Sequence, residues 1–394
     1  MIVNALIVVA SFLVVLGLIV FIHELGHYSV AKFFGTKIER FSVGFGKPIK
    51  EWRTKSGEAW SIARIPLGGY VKFAGDSSAA SSVNEVALDK AAREHGASAL
   101  YQNKPVGQRA LIAAAGPAAN FILAILIFAG LAWGRGDTYL QPVIMDVLAD
   151  SAAEAAGIEA GDRVLRLDGR EISRVSELQS YIALRSGETI AVDVDRGGRD
   201  VSMTVVPRKI VREDAIGGAS ALGTIGVNLG GADNLVSQSY GPFEALGVGT
   251  QRVGESIAMT GTYVKRIFTG KEDGKQLGGV LRIAAITGKV AVDSKNAGGA
   301  TVEQISIGRR VVGTTLSLLT LMAMLSIGLG IANLLPIPTL DGGHLVFYAY
   351  EALAGRPMSI EAQNIGYRLG LAVLVGLFVI LTFNDVGYIR SLLS

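Results

Sequence analysis

The sequence is poor in the residue types that build most soluble functional sites. It contains no cysteine, which excludes disulfide cross-links and thiolate metal sites. With four histidines in 394 residues, a metal site would have to draw on His, Asp and Glu. Only 18% of the residues are charged, against about 25% in an average soluble domain, which disfavours a wholly soluble chain. The net charge of +3 is too small to favour a nucleic-acid partner.

Apolar residues, in contrast, make up half of the chain and are gathered in long runs. A membrane-spanning helix needs about 20 apolar residues. Four stretches without Asp, Glu, Lys or Arg meet or approach this length: 1–22, 110–134, 311–340 and 369–384. The first stretch lacks the basic start and small-residue cleavage site of a secretory signal, so a retained membrane helix is favoured over a cleaved peptide. We therefore expect a multi-span α-helical membrane protein with about four spans.

Between the spans, the composition predicts a membrane-associated β segment and an inserted α+β domain. The predicted segments, in chain order, are a first span at 1–34, a β-rich region and loop at 35–109, a second span at 110–134, the insert at 140–207, a linker with a surface amphipathic region at 208–310, a third span at 311–345 and a fourth at 368–390.

Local patterns add detail to this division of the chain. Residues 38–73 alternate like strands but are interrupted by Gly and Pro, which predicts short strands. The Ser/Ala-rich stretch 77–82 predicts a flexible linker, and 84–100 a polar helix. Apolar residues alternate over 192–205 around Gly197-Gly198, which predicts a hairpin. A Gly-rich linker is expected at 217–223 and helices along the membrane surface at 240–290.

The distribution of basic residues predicts the orientation in the membrane. None lies in residues 1–4, whereas Lys32, Lys37 and Arg40 follow the first span closely. The positive-inside rule then places the N-terminus outside and residues 35–109 on the cytoplasmic side. Arg309 and Arg310 before the third span favour the opposite arrangement, but the first helix usually determines topology.

The most informative motif is the H-E-x-x-H sequence at the end of the first span. His23 and His27 are one helical turn apart and project from the same face, where they could share one Zn²⁺. Glu24 is rotated to the side, where it could accept a proton from a metal-bound water. A chance match in an amphipathic helix is the alternative. Ionisable residues at the end of a long apolar run are costly, however, so a functional role is favoured.

A catalytic zinc needs a third protein ligand, and the end of the third span offers candidates. Pro336 and Pro338 end the helix just before Asp341 and His344. If the first span runs from outside to inside, the third does too, so His23, His27 and Asp341 lie at similar depth. Asp341 and His344 both remain candidates on this argument.

At this point the chain resembles the site-2 protease family of intramembrane zinc metalloproteases, in particular the bacterial branch that contains the regulator of sigma-E protease. The resemblance covers nearly the whole chain. The matching motifs are HELGH at 23–27, GFG at 44–46, LGGY at 67–70, GPAAN at 116–120 and LDGGH at 340–344. It implies an enzyme that hydrolyses peptide bonds within transmembrane segments.

The resemblance also implies roles for individual residues. His23, His27 and Asp341 match the family's zinc ligands, and Glu24 matches its general base. Asn333 matches a position that stabilises the oxyanion or holds substrate, although hydrogen bonding between helices is an alternative role. The remaining matches are Asn120, which lies near the active site in the family but could only mark a kink at Pro117, and Gly44, Gly46 and Gly69 in the strand-like segment. An extended substrate could pair with that segment by β-addition.

The insert resembles a PDZ domain through SAAEAAG at 151–157 and GDRVLRLDG at 161–169. Only one such domain is recognisable in the sequence. The family implies that it lies outside the bacterial inner membrane and excludes substrates with bulky external parts. The expected substrates are single-span membrane proteins, such as an anti-sigma factor in a stress response, after a first cut by a site-1 type protease. Remnant signal peptides are a second possibility.

Two other functional classes remain compatible with the sequence. One is a membrane-anchored PDZ scaffold that binds peptides without catalysis. The other is a transporter whose intramembrane His and Asp carry ions, which is disfavoured because no inverted repeat is evident.

Overall fold

The computed structural model describes residues 2–76, 85–213, 219–270, 278–279, 282–283 and 307–393. The helices within these residues are α1 (Ile2–Phe33), α2 (Glu85–His95), α3 (Val106–Arg135), α4 (Ala152–Ala155), α5 (Val175–Ala183), α6 (Pro242–Phe268), α7 (Ile307–Leu334), α8 (Asp341–Ala354) and α9 (Ile360–Leu393). The strands are β1 (Ile38–Arg53), β2 (Ala59–Phe73), β3 (Asp137–Leu140), β4 (Ile144–Val147), β5 (Arg163–Leu167), β6 (Arg170–Glu171), β7 (Ile190–Asp195), β8 (Asp200–Val205), β9 (Arg208–Glu213), β10 (Ala219–Thr224), β11 (Val227–Leu229) and β12 (Leu235–Gln238).

The chain divides into two compact units. The first consists of Met1–Ala129, Leu246–Thr260 and Leu277–Val386. The second consists of Gly130–Ala245, Gly261–Gln276 and Gly387–Ser394. The first unit holds the predicted catalytic residues and the second holds the insert.

Four helices are long and apolar enough to cross a membrane. The qualifying stretches are Ala10–Phe33, Val106–Arg135, Val311–Leu334 and Ile360–Val386. Each contains or overlaps one of the four predicted spans, and the chain is a multi-pass membrane protein. The last helix begins at Ile360, earlier than the predicted residue 368, because the polar turn before the apolar run is also helical.

The third predicted span, 311–345, is not one helix. Helix α7 ends at Leu334, and residues 335–340 are non-helical before α8 begins at Asp341. Pro336 and Pro338 account for the break, because proline lacks the amide hydrogen and its ring clashes with the preceding turn. Asp341 is therefore the first residue of a separate helix that the sequence did not predict.

Helices α1, α3 and α7 pack together through apolar side chains. Val15 and Ile19 of α1 contact Met322 of α7, and Ile127 of α3 joins this cluster. The C-terminal end of α1 and the chain after α7 meet at the same place, since His23 and Asp341 are in contact. Helices α1 and α7 therefore run in the same direction.

Strands β1 and β2 form a bent sheet rather than the short strands that were predicted. Residues 40–43 have strand partners on both sides, at 69–72 and at 59–62. After register shifts around Gly44 and Gly46, the second part of β1, residues 48–53, pairs with residues 59–63 of β2. Both glycines have positive φ angles, 91° and 86°, so they bend the strand without ending it. The edge formed by 69–73 is thereby an outer strand of this sheet.

The segment after this sheet agrees in part with the sequence. Helix α2 falls within the polar helix predicted at 84–100. The flexible linker predicted at 77–82 lies outside the described residues.

The insert has the predicted α+β composition but different boundaries. Four of its strands form one sheet in the order β6-β5-β7-β8, and β7 and β8 form the predicted hairpin. The sheet covers a core that includes Leu167, Leu178 and Val192. The predicted end at residue 207 is wrong, because β11 pairs with β4 and β12 with β3. These long-range pairings extend the insert to Gln238.

The described parts of 208–310 contain more regular structure than the predicted linker and surface region. Residues 219–223 of the Gly-rich linker expected at 217–223 belong to β10, which pairs with β9, while 217–218 lie outside the described residues. Helix α6 falls within the helical region expected at 240–290, and its Gly249 packs on α3. A Cβ on Gly249 would lie 2.5 Å from the Ile125 carbonyl oxygen. The position of α6 at the membrane surface stays a prediction.

Candidate metal centre

Two imidazoles on the last turns of α1 form the base of the candidate centre. His23 and His27 lie one helical turn apart, and their Nε2 atoms are 3.2 Å from each other. Their rings pack edge to face, with centroids 4.8 Å apart. Because residues four apart share one helix face, this convergence follows from the local sequence.

Asp341 brings a carboxylate to the same place from the start of α8. Its Oδ2 lies 3.2 Å from His23 Nε2 and its Oδ1 3.5 Å from His27 Nε2. Donor atoms of the three side chains all lie within 4.8 Å of one another. Two imidazole nitrogens and one carboxylate are a typical donor set of catalytic zinc sites, so these residues fit a zinc ion.

The outer nitrogens of both imidazoles have partners on α3. His27 Nδ1 lies 2.8 Å from the Ile112 carbonyl oxygen, so Nδ1 carries the hydrogen and donates it. This tautomer leaves a lone pair on Nε2, directed at Asp341. Carbonyl partners of this kind commonly orient zinc-binding histidines.

Asn120 is the partner of the outer nitrogen of His23. Its side chain is fully buried, its Nδ2 lies 3.2 Å from His23 Nδ1, and its Oδ1 has no hydrogen-bond partner among the described residues. The two ends of a side-chain amide are interchangeable in position. With Oδ1 turned toward the ring, Asn120 accepts the Nδ1 hydrogen and leaves Nε2 of His23 free for a metal.

Helix α3 can approach the two imidazoles because small residues line the crossing. A Cβ on Gly116 would lie 2.3 Å from His27 Nε2 and 2.8 Å from His23 Cε1. A Cβ on Gly26 would lie 2.3 Å from the Ala115 carbonyl oxygen. The space beside the donor atoms therefore depends on glycine. No role was predicted for Gly116 or Gly26 from the sequence, although they are the glycines of the GPAAN and HELGH motifs.

Glu24 lies beside this donor set and against the β1–β2 sheet. Its side chain is buried, and a Cβ on Gly69 would lie 2.8 Å from its Cγ. The same Cβ would lie 2.7 Å from the Ser42 carbonyl oxygen. The outer strand at 69–73 thus packs directly on the predicted general base.

The other predicted site residues are placed less directly. Gly44 and Gly46 lie at the bend of β1. Asn333 is half-buried in the last turn of α7, and its side chain forms no hydrogen bond within the part of the chain that the structure describes. His344 lies one turn after Asp341, with its ring against Tyr348 and Tyr367 at 6.3 and 6.0 Å. It is not among the converging donor atoms, so the geometry favours Asp341 as the third ligand.

Comparisons with known proteins place this chain in a family. The model of peptidase family M50 matches residues 11–377. The metalloprotease MmpA of Caulobacter vibrioides is 40% identical over 390 residues, which cover 97% of this chain and 96% of that protein. A relative in Agrobacterium fabrum, which carries the name putative zinc metalloprotease, is 38% identical over 380 residues, which cover 96% of this chain and 95% of that protein. Another, in Rhizobium meliloti, is 37% identical over 97% of this chain and 96% of that protein.

Among the solved structures that match this chain is a PDZ domain. The PDZ domain of an SdrC-like protein from Listeria monocytogenes covers 23% of this chain and 88% of that domain, with 22% identity and a TM-score of 0.19. A similarity this low carries no argument about the insert.

Proposed function

Because the chain belongs to peptidase family M50 and is a zinc metalloprotease, we propose that it hydrolyses peptide bonds within the transmembrane segments of other membrane proteins. The observation that carries this proposal is the convergence of His23 and His27, which lie within the apolar stretch of α1, with Asp341, which follows the apolar helix α7. A hydrolytic centre at this depth is accessible to substrates that lie in the bilayer.

Each residue of the centre has a distinct role in this proposal. His23, His27 and Asp341 hold the zinc, and their buried neighbours fix the imidazole tautomers. A bound zinc supplies a Lewis acid and a coordinated water with a pKa of about 7. Glu24 accepts the proton of the attacking water and delivers it to the leaving amine. Asn333 is proposed to hold the substrate carbonyl or the oxyanion from the end of α7.

The substrate must be unwound before attack, since a helix hides its carbonyl groups in backbone hydrogen bonds. We propose that the unwound segment pairs with the outer strand at 69–73, next to Glu24. On its inner side this strand pairs with 40–43, and its other edge has no strand partner among the described residues. Such an edge is a template for adding an extended peptide.

Zinc analysis combined with a cleavage assay tests the proposed function. Purified wild-type protein should contain zinc and cleave a membrane substrate in detergent or liposomes. Glu24→Gln should keep the zinc and lose cleavage. A peptide-binding scaffold would leave the substrate uncut in both proteins, and a transporter would move ions in liposomes without cutting any substrate.

The strand-pairing role has its own test. Gly44→Pro or Gly69→Pro should impair cleavage while sparing the zinc content, because each would disturb the sheet and not the imidazoles. Unchanged cleavage in both variants would contradict substrate pairing at this sheet.

The insert is proposed to act as a PDZ-like filter outside the bacterial inner membrane, with the active site near the cytoplasmic side. In this scheme it excludes substrates with bulky external parts, so cleavage follows a first cut by a site-1 type protease. A single-span anti-sigma factor is the first candidate substrate and a remnant signal peptide the second.

The filter is tested by removing residues 137–238, so that strands β3 to β12 leave together. The shortened protein should cut a full-length substrate that the wild type leaves intact. If the uncut substrate stays intact, the insert is not the filter.

A further inference from the structure

One face of α8 carries a row of polar and ionisable side chains. Asp341, His344, Tyr348 and Glu351 follow one another at spacings of three, four and three residues, so they share one side of the helix. The candidate zinc ligand lies at the N-terminal end of this row. Rotation or sliding of α8 would therefore move Asp341 together with the other three.

The chain before α8 cannot set its orientation in the way a continuous helix would. Residues 335–340 separate α8 from α7 and are non-helical. The rotation of α8 must then be determined by contacts along its own length. The strongest polar contacts lie at its C-terminal half.

One of these contacts joins α8 to the start of α3. Arg109 Nη2 lies 2.5 Å from Glu351 Oε1, and both side chains are largely buried. The same guanidinium lies over the Tyr348 ring, 5.0 Å from its centroid. Arg109 is itself held by a hydrogen bond from Nε to the Lys104 carbonyl oxygen at 3.0 Å.

A second contact joins α8 to the chain just before α3. The hydroxyl groups of Tyr101 and Tyr348 share a hydrogen bond at 2.6 Å. Tyr348 is buried, and the Tyr101 ring stacks on Phe73 with centroids 4.6 Å apart and planes 10° apart. Phe73 is the last residue of β2, the strand that packs on Glu24 through Gly69. Tyr101 thus connects the strand beside the general base to the helix that carries Asp341.

We propose that Tyr101 is a positioning residue that sets the rotation of α8 through Tyr348 and so holds the Asp341 carboxylate at His23 and His27. This inference rests on the proposed function, because it takes Asp341 as a zinc ligand. Tyr101 itself touches neither the donor atoms nor the substrate strand edge at Gly69. Its effect on the metal is indirect and travels along α8, a rigid helix of 14 residues.

The test measures zinc affinity by competition with a chelator, using the full-length protein in detergent. Tyr101→Phe and Tyr348→Phe each remove one hydroxyl and keep the ring, so the fold is preserved. Each should weaken zinc binding about three- to tenfold, the range expected for one buried hydrogen bond. The double variant should be no weaker than either single one, because both changes remove the same bond.

Tyr350→Phe is the matched control. It makes the same chemical change on the same helix, but Tyr350 is 39% exposed and points away from the row. Its zinc affinity should equal that of the wild type.

A purely structural role for Tyr101 gives a different result. The zinc-free protein would then melt at a lower temperature while the zinc affinity of Tyr101→Phe stayed at the wild-type value, and the proposal would be overturned. Additive losses in the double variant would overturn it as well, since the two hydroxyls would act independently.

Asp341→Ala separates this proposal from the proposed function. It should weaken zinc binding much more than either Phe variant. If Asp341→Ala binds zinc as the wild type does, the ligand assignment itself is wrong. If Asp341→Ala binds weakly but Tyr101→Phe binds normally, only the positioning role of Tyr101 is wrong.

Discussion

Gly116 of α3 faces His27 of α1 so closely that a Cβ at position 116 would lie 2.3 Å from the imidazole Nε2. Real side chains do not approach to this distance, so any larger residue must displace the ring or the helix. The nitrogen concerned is the one left with a lone pair by the hydrogen bond to Ile112. The absence of a side chain at 116 is therefore part of the candidate zinc site.

Gly116→Ala should reduce zinc affinity by about tenfold or more, the loss seen when groups that support metal ligands are changed. Alanine favours a helix over glycine by about 1 kcal/mol, so unfolding of α3 is not expected to cause the loss. Gly130→Ala on the same helix is the control, because its Cβ would meet no atom within 4 Å. Equal zinc content in the two variants would show that the space beside His27 is not needed for the metal.

Asn120 offers a test of how the tautomer of His23 is set. Asn120→Leu removes the acceptor for the Nδ1 hydrogen at similar volume and should weaken zinc binding about ten- to a hundredfold. Asn120→Asp keeps an acceptor oxygen, now of a carboxylate, in the same place and should stay within a few-fold of the wild type.

The competing explanation for Asn120 is a helix kink at Pro117. Chelator competition on Pro117→Ala distinguishes the two, because this change removes the proline and leaves the Asn120 amide. If Pro117→Ala loses zinc as strongly as Asn120→Leu, the residue pair acts through helix shape and not through His23.

The parts of the site that sequence predicts are those determined by local geometry or by topology. His23 and His27 share a face because of helical periodicity. Asp341 could be placed at the same depth because the first and third spans run in the same direction. The separate helix α8 and the close contact at Gly116 could not be predicted, because both depend on how distant segments pack.

The same distinction explains the boundary of the insert. The hairpin around Gly197-Gly198 was predicted correctly because its strands are adjacent and its turn residues are specific. The end of the unit was placed too early, because β4 and β11 pair across about 80 residues of sequence, and such pairing leaves no local pattern.

The stability of the insert should depend on the ion pair between Asp162 and Arg196, which is lost when Asp162 is protonated in acid. Asp162 is buried and accepts hydrogen bonds from Arg196 Nε and Nη2, both at 2.7 Å, and from the Glu159 amide at 2.9 Å. Burial alone would raise the pKa of the Asp162 carboxyl, but these donors outweigh it and hold the pKa below its ordinary value. A depressed folded-state pKa stabilises the fold above the unfolded value of about 3.9.

The stability of the insert should therefore fall as the pH drops below about 4, through the folded pKa of Asp162. Asp162→Asn should lower stability by about 1–3 kcal/mol at neutral pH and reduce this acid dependence. Hydrogen exchange of the β5 and β7 amides in the full-length protein, corrected for intrinsic rates, measures both effects. Asp146→Asn, at an exposed position on β4, should change little, and an equal loss there would contradict the role of Asp162.

A substitution at Gly69 should affect the chemistry at Glu24 without affecting metal binding. A methyl group at position 69 would lie 2.8 Å from Glu24 Cγ and 2.7 Å from the Ser42 carbonyl oxygen, so either Glu24 or the strand must move. Gly69→Ala should therefore lower the cleavage rate about ten- to a hundredfold, a part of the roughly hundred- to ten-thousandfold that a general base contributes, while zinc content stays at the wild-type level. Gly17→Ala on α1, where a Cβ meets no atom within 4 Å, should keep both properties. Loss of zinc in Gly69→Ala would mean that the strand supports the imidazoles, whereas full activity would mean that Glu24 does not depend on this contact.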